Sequence, residues 1–286
     1  MNTGGRARRR LVGAAAGVFC LAAGGVGIAF ASGVVTRTAT VNVPPKAKRA
    51  ATAKCPRGKS VVMGGFHNDI GTNHHPEVNP IGLTRPSKRA WRDSATDAFD
   101  PAGDATAIAY CGRAPKLTER TKSVAVPAAT SSTTRPTSVT ARCPKGQRVA
   151  FGGFKADFDP NFGPNTGAIW INTLRRTSNR AWKAAGWNFG NDVGNLTSVA
   201  YCGHVPKTTE HSASAAVQVN QRRSATAHCP KGQKLAFGGF VAPLGNDEFV
   251  QIDSARRASR RAWTAQAVNT SSSLITGTLR SLAYCR

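Results

Sequence analysis

The chain runs to 286 residues and carries 39 Lys and Arg against 14 Asp and Glu, a formal net charge of +25. Charge of that size bears on partners rather than on fold, and it selects polyanions. The length is ample for a packed core and too great for one small module, and the absence of any C-x-x-C pair turns the seven cysteines away from zinc.

The first ten residues hold Arg6, Arg8, Arg9 and Arg10 and no acid, and an uncharged stretch rich in Ala, Gly and Val follows from Leu11 to Thr36. Near its end stands Ala29-Phe30-Ala31. Basic start, apolar middle and small-x-small end predict a signal peptide over residues 1–31, with Ser32 as the mature N-terminus. The alternative is an uncleaved membrane anchor, since about 20 apolar residues reach across a bilayer. A lipoprotein is disfavoured by Phe19 before Cys20, and the arginines lack the flanking pattern of a twin-arginine signal. Cleavage removes Cys20 and leaves six cysteines, an even count that predicts disulfides in an exported chain. It also leaves 35 basic against 14 acidic residues, a charge of +21.

Beyond residue 50 the chain repeats itself three times, and repeats set the architecture before any local feature does. Each copy opens on a short alternating strand such as Ala51–Cys55, then turns at C-P-x-G: Cys55–Gly58, Cys143–Gly146 and Cys229–Gly232. Proline sets φ there and glycine relieves strain. A second strand runs into Gly-Gly-Phe at Gly64–Phe66, Gly152–Phe154 and Gly238–Phe240. On it, Val61/Val149/Leu235 and Met63/Phe151/Phe237 lie two apart, so they share one face and belong to the core. The glycine pair predicts close approach of a ring or another backbone, or a bulge.

After a variable segment comes R-x-S-x-R-A-W (Arg85–Trp91, Arg176–Trp182, Arg257–Trp263), expected as a hairpin tip entering the strand that carries the tryptophan. The recurring tryptophans and tyrosines suit an architectural role better than a ligand platform. A final strand ends on Ala-Tyr-Cys at Cys111, Cys202 and Cys285, and the first two copies continue into a C-G-x-x-P-K-x-T-E connector. Short strands punctuated every 8–12 residues by Gly, Pro, Asn and Ser are the all-β signal. The expectation is five or six strands per copy, in module 1 (32–115), module 2 (116–206) and module 3 (207–286). Three tandem disulfide-bonded β-sandwich-like modules are one arrangement, and a pseudo-threefold β-prism-like assembly is the alternative.

Six cysteines allow 15 pairings, and repeat symmetry leaves two schemes. The preferred one is within modules: Cys55–Cys111, Cys143–Cys202 and Cys229–Cys285, which makes each copy self-contained. The rival is circular, with Cys111–Cys143, Cys202–Cys229 and Cys55–Cys285.

This order of C-P-x-G, G-G-F, W and A-Y-C, in an Ala/Arg/Gly-rich chain, resembles secreted repeat proteins of high-GC Gram-positive (actinobacterial) bacteria. The resemblance covers residues 50–286. It implies export and a disulfide-bonded β fold, and it brings no activity and no catalytic residue.

No nucleophile elbow, zincin, P-loop or dinucleotide motif occurs, and none of the six histidines is triplicated, so no enzyme and no cofactor, nucleotides included, is expected. The variable segments hold weaker candidates. His67, Asp69, His74, His75 and Glu77 have the donor types of a metal site. Asp157, Asp159 and Asn161 form a fragment of a calcium loop without its closing Glu, and copy three offers Asn246, Asp247 and Glu248. Trp170 aligns with Asn79 and Gln251; a position polar in two copies is expected at the surface, where a tryptophan offers a flat ligand platform.

The strongest signal is the triplicated basic tip: Arg85/Arg89, Arg176/Arg180 and Arg257/Arg261. Three cationic patches on one chain suit a repeating anionic polymer bound with avidity. The expected partners are teichoic-type polymers, anionic lipid headgroups or released nucleic acid. The function expected is thus a secreted, wall-associated binding protein. Alternatives are a structural surface spacer and a lectin or hydrolase using the unrepeated loops.

Overall fold

The computed structural model describes residues 33–72, 76–128, 136–159, 168–242, 250–270 and 275–286. The expected signal peptide, with Cys20, lies outside them. So do His74, His75, Asn161, Asn246, Asp247 and Glu248.

Among the described residues every regular element is a strand, six to each copy. The first copy holds β1 (Val35–Val43), β2 (Lys48–Lys54), β3 (Ser60–Asn68), β4 (Val78–Ser87), β5 (Ala90–Asp97) and β6 (Gly103–Gly112). The second holds β7 (Thr118–Val126), β8 (Thr137–Arg142), β9 (Arg148–Ala156), β10 (Ile169–Ser178), β11 (Ala181–Asn188) and β12 (Gly194–Gly203). The third holds β13 (Thr209–Val217), β14 (Arg222–His228), β15 (Leu235–Val241), β16 (Val250–Ser259), β17 (Ala262–Asn269) and β18 (Gly277–Cys285).

Each copy folds into two three-stranded layers packed face to face, β1-β6-β3 against β2-β5-β4 in the first. The disulfides are Cys55–Cys111, Cys143–Cys202 and Cys229–Cys285, within the copies. Each joins the end of one layer's outer strand to the central strand of the other. In the chain-entropy account, closing loops of 56, 59 and 56 residues stabilises by about 4 kcal/mol per bridge.

The layers do not end at the copy boundary. The three six-stranded sheets run β1-β6-β3-β16-β17-β14, β2-β5-β4-β9-β12-β7 and β13-β18-β15-β10-β11-β8. Every sheet thus takes three strands from one copy and three from another. The sandwich-like modules and the pseudo-threefold assembly are therefore both present: three sandwiches form the corners of a prism whose three faces they share. One apolar cluster extends through all three copies.

Two glycines in each copy make this possible. A Cβ on Gly64 would lie 1.9 Å from the Trp91 ring, and those on Gly152 and Gly238 would fall 2.3 and 2.0 Å from Trp182 and Trp263. The first glycine is therefore a hole for the indole of the facing layer. Trp91 and Trp182 also donate from Nε1 to the carbonyls of Gly65 and Gly153, at 3.0 and 3.2 Å. The second glycine faces the neighbouring copy: a Cβ on Gly65, Gly153 or Gly239 would meet the backbone oxygen of Ala255, Leu83 or Leu174 at 2.7, 1.9 or 2.4 Å. There the sheets cross from copy to copy, pairing Phe66 with Ala255, Phe154 with Leu83 and Phe240 with Leu174. All three phenylalanines are fully buried at these joints. The strand face assigned to the core is confirmed, with Val61, Val149, Leu235, Met63, Phe151 and Phe237 all buried across a bulge in the ladder.

Candidate functional site

Strand direction sorts the repeated and unrepeated segments to opposite ends. β4 runs antiparallel to β9, β10 to β15 and β16 to β3, so each hairpin tip lies beside the start of a neighbour's glycine strand. All three tips, the C-P-x-G turns and the connectors gather at this connector end. The segments that follow Gly-Gly-Phe emerge at the other, the loop end.

Each tip is tied to its turn. Val61, Val149 and Leu235 donate backbone N–H to the carbonyls of Lys88, Asn179 and Arg260, all at 2.9 Å. Gly58, Gly146 and Gly232 close the turns at φ of 79°, 83° and 86°, in the left-handed region that favours glycine. The second arginine of each tip has a structural task that its spacing does not disclose. Arg89 donates from Nε and Nη2 to the Cys55 carbonyl at 3.2 and 3.0 Å. Arg180 and Arg261 hold Cys143 and Cys229 in the same way. These three residues remain exposed overall.

The first arginine marks the joint between copies. The backbone N–H of Arg85, Arg176 and Arg257 donates to the hydroxyl of Tyr201, Tyr284 and Tyr110, at 2.6, 2.9 and 2.7 Å. Each hydroxyl comes from another copy. The tyrosines of Ala-Tyr-Cys are thus clamps across the joints. Burial pushes the Tyr110 hydroxyl up to about 12 and raises Tyr201 and Tyr284 as well, so all three stay neutral acceptors. The first arginines are half-buried, and burial lowers their pKa. Arg176 also lies 4.7 Å over the Tyr284 ring and donates from Nη2 to the Thr208 carbonyl at 2.9 Å.

Inside the connector end lies a cavity of about 570 Å³ that motif reading missed. Its walls include Val62, Ala150 and Ala236, the residues between the two core positions of each glycine strand. The legible signal was that this intervening position is apolar in all three copies. Lys59, Arg113, Lys234, Arg257, Arg260 and Arg286 also line it.

The loop end distributes the other candidates differently. His67 and Asp69 form a surface pair at 3.9 Å, and burial lowers the His67 pKa. Glu77 is fully buried instead, its Oε1 accepting from Asn79 Nδ2 and Gln251 Nε2, both at 3.1 Å. Among the described residues no group of three or more His, Cys, Asp or Glu is placed to hold a metal ion. Asp157 accepts from Asn195 N at 2.9 Å, which ties down the start of the second copy's loop.

Asn79 and Gln251, the counterparts of Trp170, are buried, so the argument that placed this position at the surface does not hold. Asn79, Trp170 and Gln251, one from each copy, line one small gap together. Trp170 is half-buried with its ring centroid 4.0 Å from that of Phe189, in a small apolar cluster with Phe158. No protein-family model matches the chain, and no curated protein is significantly similar to it.

Proposed function

We propose that this is a secreted binding protein, not an enzyme, whose connector end engages anionic polymers of the cell envelope or its surroundings. The observation that carries the reading is that Arg85, Arg176 and Arg257, half-buried, and Arg89, Arg180 and Arg261, exposed, all lie at one end of the three-copy assembly. The three disulfides are consistent with an extracellular location. Exposed ion pairs are weak singly, at about 0–1 kcal/mol, and gain strength when one polymer spans several.

Arg85→Gln, Arg176→Gln and Arg257→Gln keep the backbone donor to each tyrosine and remove the charge. Made singly, in pairs and together, they are titrated against teichoic acid and heparin at several salt concentrations. Affinity is expected to fall with each substitution by more than an additive amount, and steeply with salt, because displaced counterions drive such binding. Unchanged binding in the triple variant, or indifference to salt, would refute the reading.

A further inference from the structure

The three joints between copies are not equivalent. In the register of the outer strands, Glu119 faces Tyr201 and Glu210 faces Tyr284, but Thr36 faces Tyr110. The carboxylates of Glu119 and Glu210 support the charge of Arg85 and Arg176, while Arg257 has Arg260 as its charged neighbour. Two residues earlier, Thr208 receives the Arg176 guanidinium through its hydroxyl and carbonyl; the matching residues of the first and second copies are the apolar Val34 and Leu117. The joint between the third and first copies therefore lacks the glutamate that its siblings carry beside the tyrosine, and is the more basic of the three. The cavity opens beside it, with Val34, Arg257 and Arg260 in its wall.

We infer that this cavity is a binding site for an amphiphilic anion: a single carboxylate or phosphate head on an aliphatic tail. Its 570 Å³ falls within the roughly 300–1,000 Å³ of small-molecule sites. The floor made by Val62, Ala150 and Ala236 offers a tail nothing to hydrogen-bond. The six cationic side chains stand with no acidic side chain among the described lining residues. A polyanion without a tail leaves the floor wet, and a neutral lipid brings no negative charge to the cationic wall. Only a molecule with both parts satisfies both surfaces. The site does not depend on polymer binding at the tips, which needs no cavity.

Calorimetric titration of the purified chain with dodecyl phosphate, below its micelle concentration, tests this. One-to-one binding is expected, weakening about three- to fourfold for each methylene removed from the tail. Inorganic phosphate and dodecyl maltoside are each expected to bind at least tenfold more weakly, and equal binding of either would overturn the inference. Ala150→Trp/Ala236→Trp fills the floor and is expected to abolish binding of dodecyl phosphate while heparin binding persists. Retained dodecyl phosphate binding in that variant overturns the inference, as does no binding in the parent. Should the filled variant fail to fold, Lys234→Ala/Arg260→Ala keeps the backbone bond between Leu235 and Arg260. It is expected to lose tenfold or more for dodecyl phosphate and nothing for dodecyl maltoside, and unchanged dodecyl phosphate affinity counts against the site.

Discussion

At the connector end, Trp91, Trp182 and Trp263 each sit on a glycine, and Tyr110, Tyr201 and Tyr284 each clamp a neighbour's hairpin. At the loop end, Glu77, Asn68, Asp93 and Asp253 are buried polar residues that occur once apiece. The same strands build both ends, so the difference comes from what the side chains meet. A joint residue meets the backbone of another copy in a geometry repeated three times, and one solution serves all three. Residues near the axis at the loop end meet their own counterparts. Three copies of Trp170 would compete for one space, whereas one tryptophan and two amides share it and leave donors for Glu77.

If that contrast is right, damage at the connector end is large and equal among copies. Trp91→Ala, Trp182→Ala and Trp263→Ala are each expected to lower unfolding free energy by about 3–5 kcal/mol, as for other buried aromatics. Urea denaturation checks it, and one indifferent copy would break the equivalence.

Damage at the loop end is expected to be singular and, for Asp253, pH-dependent. Burial pushes its carboxyl up to about 6, although Arg222 Nε lies 2.8 Å away. The folded chain thus takes up this proton before the unfolded chain does as pH falls. Its contribution favours folding below about pH 4 and is lost as pH rises through about 6. A rise from 3.8 to about 6 corresponds to roughly 3 kcal/mol. Asp253→Asn is therefore expected to be the more stable protein at pH 7 and to match the parent near pH 4. Lower stability at pH 7 would show that the Arg222 pair outweighs burial.

Asn68 and Asp93 stand where the other copies have Ala156/Ala184 and Ala242/Ala265. With its amide turned so that nitrogen faces the acid, Asn68 donates to Asp93 Oδ2 at 2.6 Å, and burial raises the Asp93 pKa well above the usual range. Asn68→Ala alone strands a buried carboxyl and is expected to cost about 1–3 kcal/mol. Asn68→Ala/Asp93→Ala restores the pairing of the other two copies and is expected to recover most of that loss, measured as a double-mutant cycle. Additive losses would sharpen the contrast differently, by showing that the loop end needs its polar pair.

The smallest effect should again be threefold. Tyr110→Phe, Tyr201→Phe and Tyr284→Phe each remove one hydrogen bond across a joint and are expected to cost about 1 kcal/mol, alike in all three. A markedly larger value for Tyr284, which also lies under Arg176, would separate ring stacking from the clamp.

Local spacing and repetition were enough to give five or six strands per copy, the C-P-x-G turns and the basic hairpins, and they narrowed the disulfides to two symmetric schemes, of which the preferred one is observed. Each of these depends on near neighbours or on symmetry between copies, and both are visible in a linear chain. Tertiary structure alone decided which copies share a sheet, because two-residue pairings such as Phe66 with Ala255 leave no periodic trace. It also decided that Arg89, Arg180 and Arg261 hold cysteine carbonyls, since a backbone acceptor has no sequence identity. Asn79 and Gln251 read as surface residues because polar side chains usually are; at the axis they are buried because Glu77 accepts their amide hydrogens. The cavity was beyond sequence for the same reason: its lining comes from all three copies, brought together only when the prism closes.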